Sequence, residues 1–474
     1  MEKIKVIIKE LWIAGIILVL IVYGFVCLSR ITERKDSRDK FSDFYTEDRE
    51  YEVLFLGSSH VLNGIFPMEL WKEYGITSYN MGGHGNRMAM NYWVLKNALE
   101  YKKPKVVVLD TFMIGREDKI ASLEQLHLSA DHIPYSQTKV EMIEDLVEEK
   151  DRRKDFLFKF STYHHRWNEL TQEDFQRAPV VEKGAESRIN VAVTKENMEV
   201  SEEDFTGEKT VNTEYLYKII KLCEEQEIEL LLTYLPFPDS TGWRIEANTV
   251  DLIAKECNLH FLDYNTLLQV IDFETDFYDK DSHLNTSGAR KITRFIGDYL
   301  RKIYKVNDYR EWEEYIGWHE DYKDYYEFKI ENFRKEEELK NILMMLNDED
   351  VSYGIYFKPW NAVSAYPQLL ALLNNMGIDY TKIPNEDYFL VKDRVNNIEN
   401  VVRLFEVKET AFGEFSLFYN EDGHLELSCI KADSMILTYS DIGIVVFNNY
   451  NLSVEDQKKF TLSEIDIEFM NLKE

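Results

Sequence analysis

The sequence predicts an α/β protein with a parallel sheet of five strands, a β-rich accessory domain behind it, and one apolar helix ahead of it. Three observations carry this. Five short apolar runs lie between residues 51 and 263, and helical stretches separate them, the arrangement of parallel strands with right-handed crossovers. An uncharged run, Leu11–Leu28, stands near the amino terminus. Beyond residue 340 strand-like runs follow one another with hairpin signals between them.

The apolar run has 18 residues, and as a helix it measures about 27 Å, enough for the hydrocarbon core of a bilayer. No small-x-small cleavage site follows it, so it reads as an uncleaved anchor, with 1–10 as a short tail on its other side. Lys3, Lys5 and Lys9 precede it, whereas Arg30, Arg34, Lys35, Arg38 and Lys40 follow. That bias alone favours a body on the cytoplasmic side. Residues 29–48 are charged and aperiodic, a stalk.

The run from Tyr51 into Gly57-Ser58-Ser59-His60 reads as a buried strand ending in a turn of small residues, where open α/β sheets place their ligands. Helices are expected over 66–74, 88–100, 214–226, 243–257 and 287–304, the last capped by Asn285 or Thr286. Strands are expected over 76–81, 105–110, 228–234 and 259–263. The second strand runs into Asn80-Met81-Gly82-Gly83-His84-Gly85-Asn86, and the fifth is followed by Asp279-Lys280-Asp281-Ser282-His283 ahead of the last helix. A serine is inert until a base takes its proton, and this acid-histidine loop supplies one.

These segments resemble the SGNH (GDSL-like) hydrolases, and among them the membrane-anchored members that move acyl groups on cell-surface polysaccharides, such as alginate O-acetyltransferases and the SGNH protein of teichoic-acid D-alanylation. The resemblance covers roughly residues 49–305. It implies a flavodoxin-like SGNH domain and a serine-dependent O-acetyltransferase or O-acetylesterase that needs no cofactor or metal. Ser59 rather than Ser58 would be the nucleophile, because the first motif is G-x-S and Gly57 sets its frame. His283 would be the base and Asp281 its orienting acid, with Asp279 as second choice because position 280 is lysine. The N–H groups of Ser59 and Gly85 would hold the oxyanion. The third motif, G-x-N-D, is replaced by Asp110-Thr111-Phe112-Met113, so Thr111 and Asn86 become candidate oxyanion or substrate contacts. The resemblance also implies an extracytoplasmic body on the cell membrane, a polysaccharide or glycopolymer substrate, and a multi-span membrane O-acyltransferase as partner. A degenerate scaffold that assists such an enzyme is the alternative.

Composition sets outer limits. The 474 residues suffice for two or three domains, and 45% hydrophobic residues rule out a disordered chain. A net charge of −30, from 86 acidic against 56 basic residues, excludes a nucleic-acid-binding footprint. Cys27, Cys223, Cys257 and Cys429 have neither metal-binding nor disulfide spacing. An insertion over 115–211, with a helix expected at 138–150, carries His164-His165-Arg166-Trp167. His165, Arg166 and Trp167 are candidate contacts to a sugar or an anionic group, through stacking and forked hydrogen bonds, with a buried tryptophan and a satisfied arginine as the equal alternative. Residues 306–340 read as a helical connector, and 341–474 as the accessory domain, with strands at 351–357, 388–392, 415–419, 425–429 and 443–447 and a helix at 365–376.

Overall fold

The computed structural model describes residues 2–33, 40–176, 180–194, 204–206, 209–237, 241–263, 267, 269–280, 283–359, 366–429 and 432–470. Its first half is built on β1 (Val53–Leu56), β2 (Ser78–Asn80), β3 (Val106–Asp110), β4 (Glu229–Thr233) and β5 (His260–Leu262). They form one sheet in the order β2-β1-β3-β4-β5, and every pairing is parallel. Each strand is short and apolar because both faces are covered. Leu54, Leu56, Val107, Leu109, Leu230 and Leu232 pack with residues of the helices Met88–Ala98 and Val211–Glu225. The alternate residues Val53, Phe55, Val106, Val108 and Leu231 pack with Leu70, Ile292 and Ile296 from the helices Pro67–Tyr74 and Thr286–Tyr299. The strand order reverses between β1 and β3, and ligands of open α/β sheets bind at such a switch.

The second half is antiparallel. A five-stranded sheet joins β14 (Ser453–Phe460), β13 (Ile442–Asn448), β6 (Ser352–Phe357), β7 (Tyr388–Asp393) and β8 (Ile398–Arg403) in that order. A four-stranded sheet joins β12 (Ala432–Ile436), β11 (Leu425–Cys429), β10 (Gly413–Tyr419) and β9 (Val407–Thr410). Residues alternate along each central strand. Ile355, Leu390 and Ile444 face the helices Gly317–Lys335, Leu339–Met345 and Pro367–Asn375, while Tyr356, Phe389 and Val445 meet Phe415 and Leu417 of the smaller sheet.

The stretch expected as a connector is helical over Gly317–Lys335, but it is not a spacer. Trp318, Tyr322 and Tyr325 belong to the core of the parallel half, and Tyr326, Ile330 and Phe333 to that of the antiparallel half. Between them Lys329, 7% exposed, lies 3.2 Å from Glu69, 2.9 Å from Asp348 and 3.6 Å from Asp350. Glu69 comes from one half and the two aspartates from the other, so one buried ammonium ties the halves together. Among the described residues these three carboxylates are the group with metal-like spacing, and Lys329 already supplies their cation.

The apolar run forms part of a helix over Glu2–Thr32, and Ile7–Thr32 is long and apolar enough to cross a membrane. Its side chains stand clear of the folded body until the last turns, where Thr32 and Glu33 become buried.

Candidate functional site

Leu56 ends β1 and the chain turns at once into a short helix, Ser59–Gly64. Gly57 permits the turn: a Cβ there would stand 2.4 Å from Val61 Cγ2 and 2.9 Å from Asp110 Cβ. Ser58 caps the helix, its Oγ accepting a hydrogen bond from the His60 N–H at 3.3 Å. Ser59 is the first helical residue, so its N–H has no intrahelical acceptor. Asn80 braces the other end, its Nδ2 donating to Val61 O at 2.7 Å and Ile65 O at 2.8 Å. The Gly83 N–H donates to Gly57 O at 3.2 Å and joins the glycine turn to the serine turn.

The histidine arrives from a closed loop. Phe277 and Leu284 form an isolated antiparallel bridge, and the Tyr278 N–H donates to His283 O at 2.8 Å. Asn285 fixes the exit: its Oδ1 accepts from the N–H groups of Ser287 and Gly288, and its Nδ2 donates to Thr275 O at 2.8 Å. His283 Nε2 is thereby held 2.9 Å from Ser59 Oγ. His283 Nδ1 is 2.6 Å from Asp279 Oδ2, and Asp279 Oδ1 accepts the His283 N–H at 3.1 Å.

Asp279, the second choice from sequence, thus stands against His283 Nδ1; Asp281, the first choice, lies outside the described residues. The loop geometry gives the reason. With residue 278 bonded to residue 283 across the loop, residue 279 comes beside the imidazole. A carboxylate against Nδ1 keeps the proton there and leaves Nε2 as an acceptor facing the serine.

Thr111 does not offer a donor to this site. It is fully buried, and its hydroxyl donates to Thr233 O at 2.9 Å, which commits its single proton to β4. Asn86 differs. Its Oδ1 accepts from Ser129 Oγ at 2.6 Å, while its buried Nδ2 has no hydrogen-bond partner. That nitrogen lies 2.5 Å from where a Cβ on Gly83 would be, so it flanks the glycine turn. Gly85 has φ +64°, a left-handed conformation that glycine adopts without penalty.

His165, Arg166 and Trp167 are not brought to the serine. They lie in a 3-10 turn, His164–Asn168, at the end of the long amino-terminal helix. Arg166 donates to Thr32 O at 2.9 Å, to Glu33 O at 2.6 Å and to Asp174 Oδ1 at 3.1 Å. The last carbonyls of a helix lack intrahelical donors and carry its negative dipole end, so a guanidinium caps them well. His165 and Trp167 are exposed there.

Sequence reasoning missed an aromatic wall beside the histidine. His60 stacks on Phe112 at 3.7 Å and meets the His283 ring edge-on at 5.7 Å. Phe112 in turn touches Trp243 at 4.5 Å and Phe237 at 4.7 Å, and the Arg116 guanidinium lies 4.4 Å over Trp243. Burial, and then the neighbouring His283, push His60 down to about 3, so it stays neutral beside His283. Asp110, buried under the serine turn, is pushed by that burial up to about 7, although the N–H groups of Leu235 and Phe112 draw it down. The only sequence signal for the wall was position, since Phe112 and Phe237 each follow the end of a strand.

Compared with known proteins, the chain matches no family model and no curated protein. Among solved structures it is similar to a gut microbial diltiazem-metabolizing enzyme, with 13% identity and a TM-score of 0.20. That match covers 55% of this chain and 48% of the other, so it spans about half of that protein's length. A score this low says nothing about fold or chemistry.

Proposed function

We propose that this chain is a membrane-anchored, SGNH-type serine enzyme that transfers or hydrolyses O-acyl groups on a bacterial cell-surface polysaccharide. One observation carries the chemical part: a serine hydroxyl, an imidazole and a carboxylate stand in line at 2.9 and 2.6 Å, at the carboxyl end of a parallel strand. His283 Nε2 takes the proton of Ser59 as Oγ attacks the acyl carbonyl. A tetrahedral oxyanion forms and collapses, the alcohol leaves with the proton from His283, and Ser59 is left acylated. A sugar hydroxyl or water then repeats the sequence in reverse, its proton passing to His283. Asp279 keeps the imidazole in the required tautomer and stabilises its cationic form. Ser59 is preferred to Ser58 because its hydroxyl is the one 2.9 Å from His283 Nε2, whereas Ser58 is buried and caps the helix.

The oxyanion would be held by the N–H groups of Ser59 and Gly85 and by Asn86 Nδ2. Asn86 is preferred to Thr111 because its donor is unspent. The aromatic wall formed by His60, Phe112 and Phe237 shields one side of the imidazole from water. The helix Ile7–Thr32 would hold the body at the outer face of the cell membrane, within reach of surface glycopolymers and of a multi-span O-acyltransferase delivering acyl groups.

The test is the intact mass of the full-length protein after incubation with p-nitrophenyl acetate. One added acetyl group is expected in the parent and in Ser58→Ala, and none in Ser59→Ala. His283→Ala should label slowly or not at all. A label that persists in Ser59→Ala refutes the assignment. No label in any form, with surface acylation intact in a Ser59→Ala strain, leaves the scaffold reading.

A further inference from the structure

We propose that the segment from Lys150 to Phe175 is a foot that lies in the lipid headgroup region beside the anchor helix and seats the catalytic half on the bilayer. This rests on the reading of Ile7–Thr32 as a membrane span. The first argument is one of level. Phe25, inside the span, packs edge-on against Phe160 with ring centroids 4.7 Å apart. Seven residues separate Phe25 from Thr32, about 10 Å of helix. The short helix Lys159–Tyr163 therefore runs beside the last turns of the apolar helix, not in the water above its end.

Three large aromatics on the adjoining backbone are left outside the protein core: Phe158 is 64% exposed, Trp167 66% and Phe175 65%. They are fastened to the helix end by shared bonds. Arg166, next to Trp167, donates to Thr32 O and Glu33 O, and its guanidinium also reaches Asp174, next to Phe175. Lys159, next to Phe158, is bonded to the Glu33 carboxylate. Aromatic rings with polar neighbours, gathered at one end of a membrane helix, match the amphipathic headgroup layer.

Charge agrees with this assignment. Residues 150–175 hold six Lys or Arg against five Asp or Glu, whereas the whole chain carries −30. An acidic body is repelled by anionic lipid, and this near-neutral segment is where it can approach closely. The occupant is the lipid interface, because the only apolar phase the three aromatics adjoin is the one that surrounds the span.

The full-length protein in phosphatidylcholine vesicles, with and without chains brominated near the headgroup, gives the test. Bromine quenches indole emission on contact, and Trp12, Trp167 and Trp312 stand respectively in the span, in the foot and in the 306–316 segment. Trp167→Phe should remove a share of the quenchable emission comparable to that removed by Trp12→Phe, while Trp312→Phe should remove none. The replacements are conservative and Trp167 is exposed, so the fold is kept. If the Trp12 share is quenched and the Trp167 share is not, the foot is refuted and the anchor stands. If neither is quenched, the anchor reading fails and takes the foot with it.

Discussion

Asp279 and Asp348 sit in two charged clusters of opposite character. Asp279 and His283 have side chains 31% and 26% exposed, and the imidazole turns its second nitrogen outward to a hydroxyl. Asp348 and Lys329 are 1% and 7% exposed, and Arg290 and Glu69 close around them. Both clusters join segments far apart in sequence. The difference lies in what each leaves unspent: the first keeps a reactive oxygen at the surface, whereas the second neutralises a buried cation between two cores. Exposure and remaining hydrogen-bonding capacity, rather than charge count, separate chemistry from architecture here.

Substitutions can break that contrast. Asp279→Asn should lower the turnover of p-nitrophenyl acetate by about 10⁴-fold without moving the unfolding midpoint, because the amide favours the wrong imidazole tautomer. A fall of less than about tenfold would return the role to Asp281. Lys329→Met should behave in the opposite way. Removing one partner of a buried ion pair costs about 3–5 kcal/mol, so chemical denaturation should show that loss while the fraction still folded keeps its specific activity. Asn86→Asp preserves shape and removes a donor; turnover should fall about 100- to 1000-fold with little change in KM. An unchanged rate would remove Asn86 Nδ2 from the oxyanion site.

The smallest effect concerns pH. Asp110 binds its proton more tightly in the folded chain, at about 7 against 3.8. The folded state therefore holds more protons than the unfolded state between these values, and stability should fall as pH rises from about 4 through about 7. Asp110→Asn keeps the oxygen that accepts from Leu235 N–H and has no such titration. Its unfolding midpoint should vary less over that range than the parent's, and an identical slope would place the ionisation elsewhere.

The parallel half was readable because its strands are covered on both faces. Val106–Asp110 and Glu229–Thr233 are near-continuous apolar runs, and their expected limits differ from the observed ones by a residue or so at each end. In the antiparallel half β14, Ser453–Phe460, reads SVEDQKKF and is half-exposed at the sheet edge, so no apolar pattern announced it. Strands β8, β9 and β12 were missed for a related reason, as each is the outer strand of its sheet. At the site, Ser59 and His283 were legible from local motifs. The contact between Asp279 and His283 was not, because it depends on how the loop closes through the Tyr278–His283 bond. The fate of Thr111 depends on a carbonyl more than a hundred residues away. The partners of Arg166 were not legible, because the carbonyls of Thr32 and Glu33 are backbone groups that carry no sequence signature.

The helix Gly317–Lys335 has a consequence for the order in which the chain matures. All five strands of the parallel sheet, both halves of the acid-base pair and the last helix that packs on them have been synthesised by residue 305. Trp71, fully buried in the finished protein, still has no neighbour at the position Trp318 will fill, and Glu69 waits for Lys329. Asp348 and Asp350 come later still. At roughly 5–20 residues per second, the interval between residues 305 and 350 is about 2 to 9 seconds. Over that interval Ser59, Asp279 and His283 are all in the chain before the core behind them is complete, so purified chains ending at 305 and at 350 should differ sharply in protease resistance.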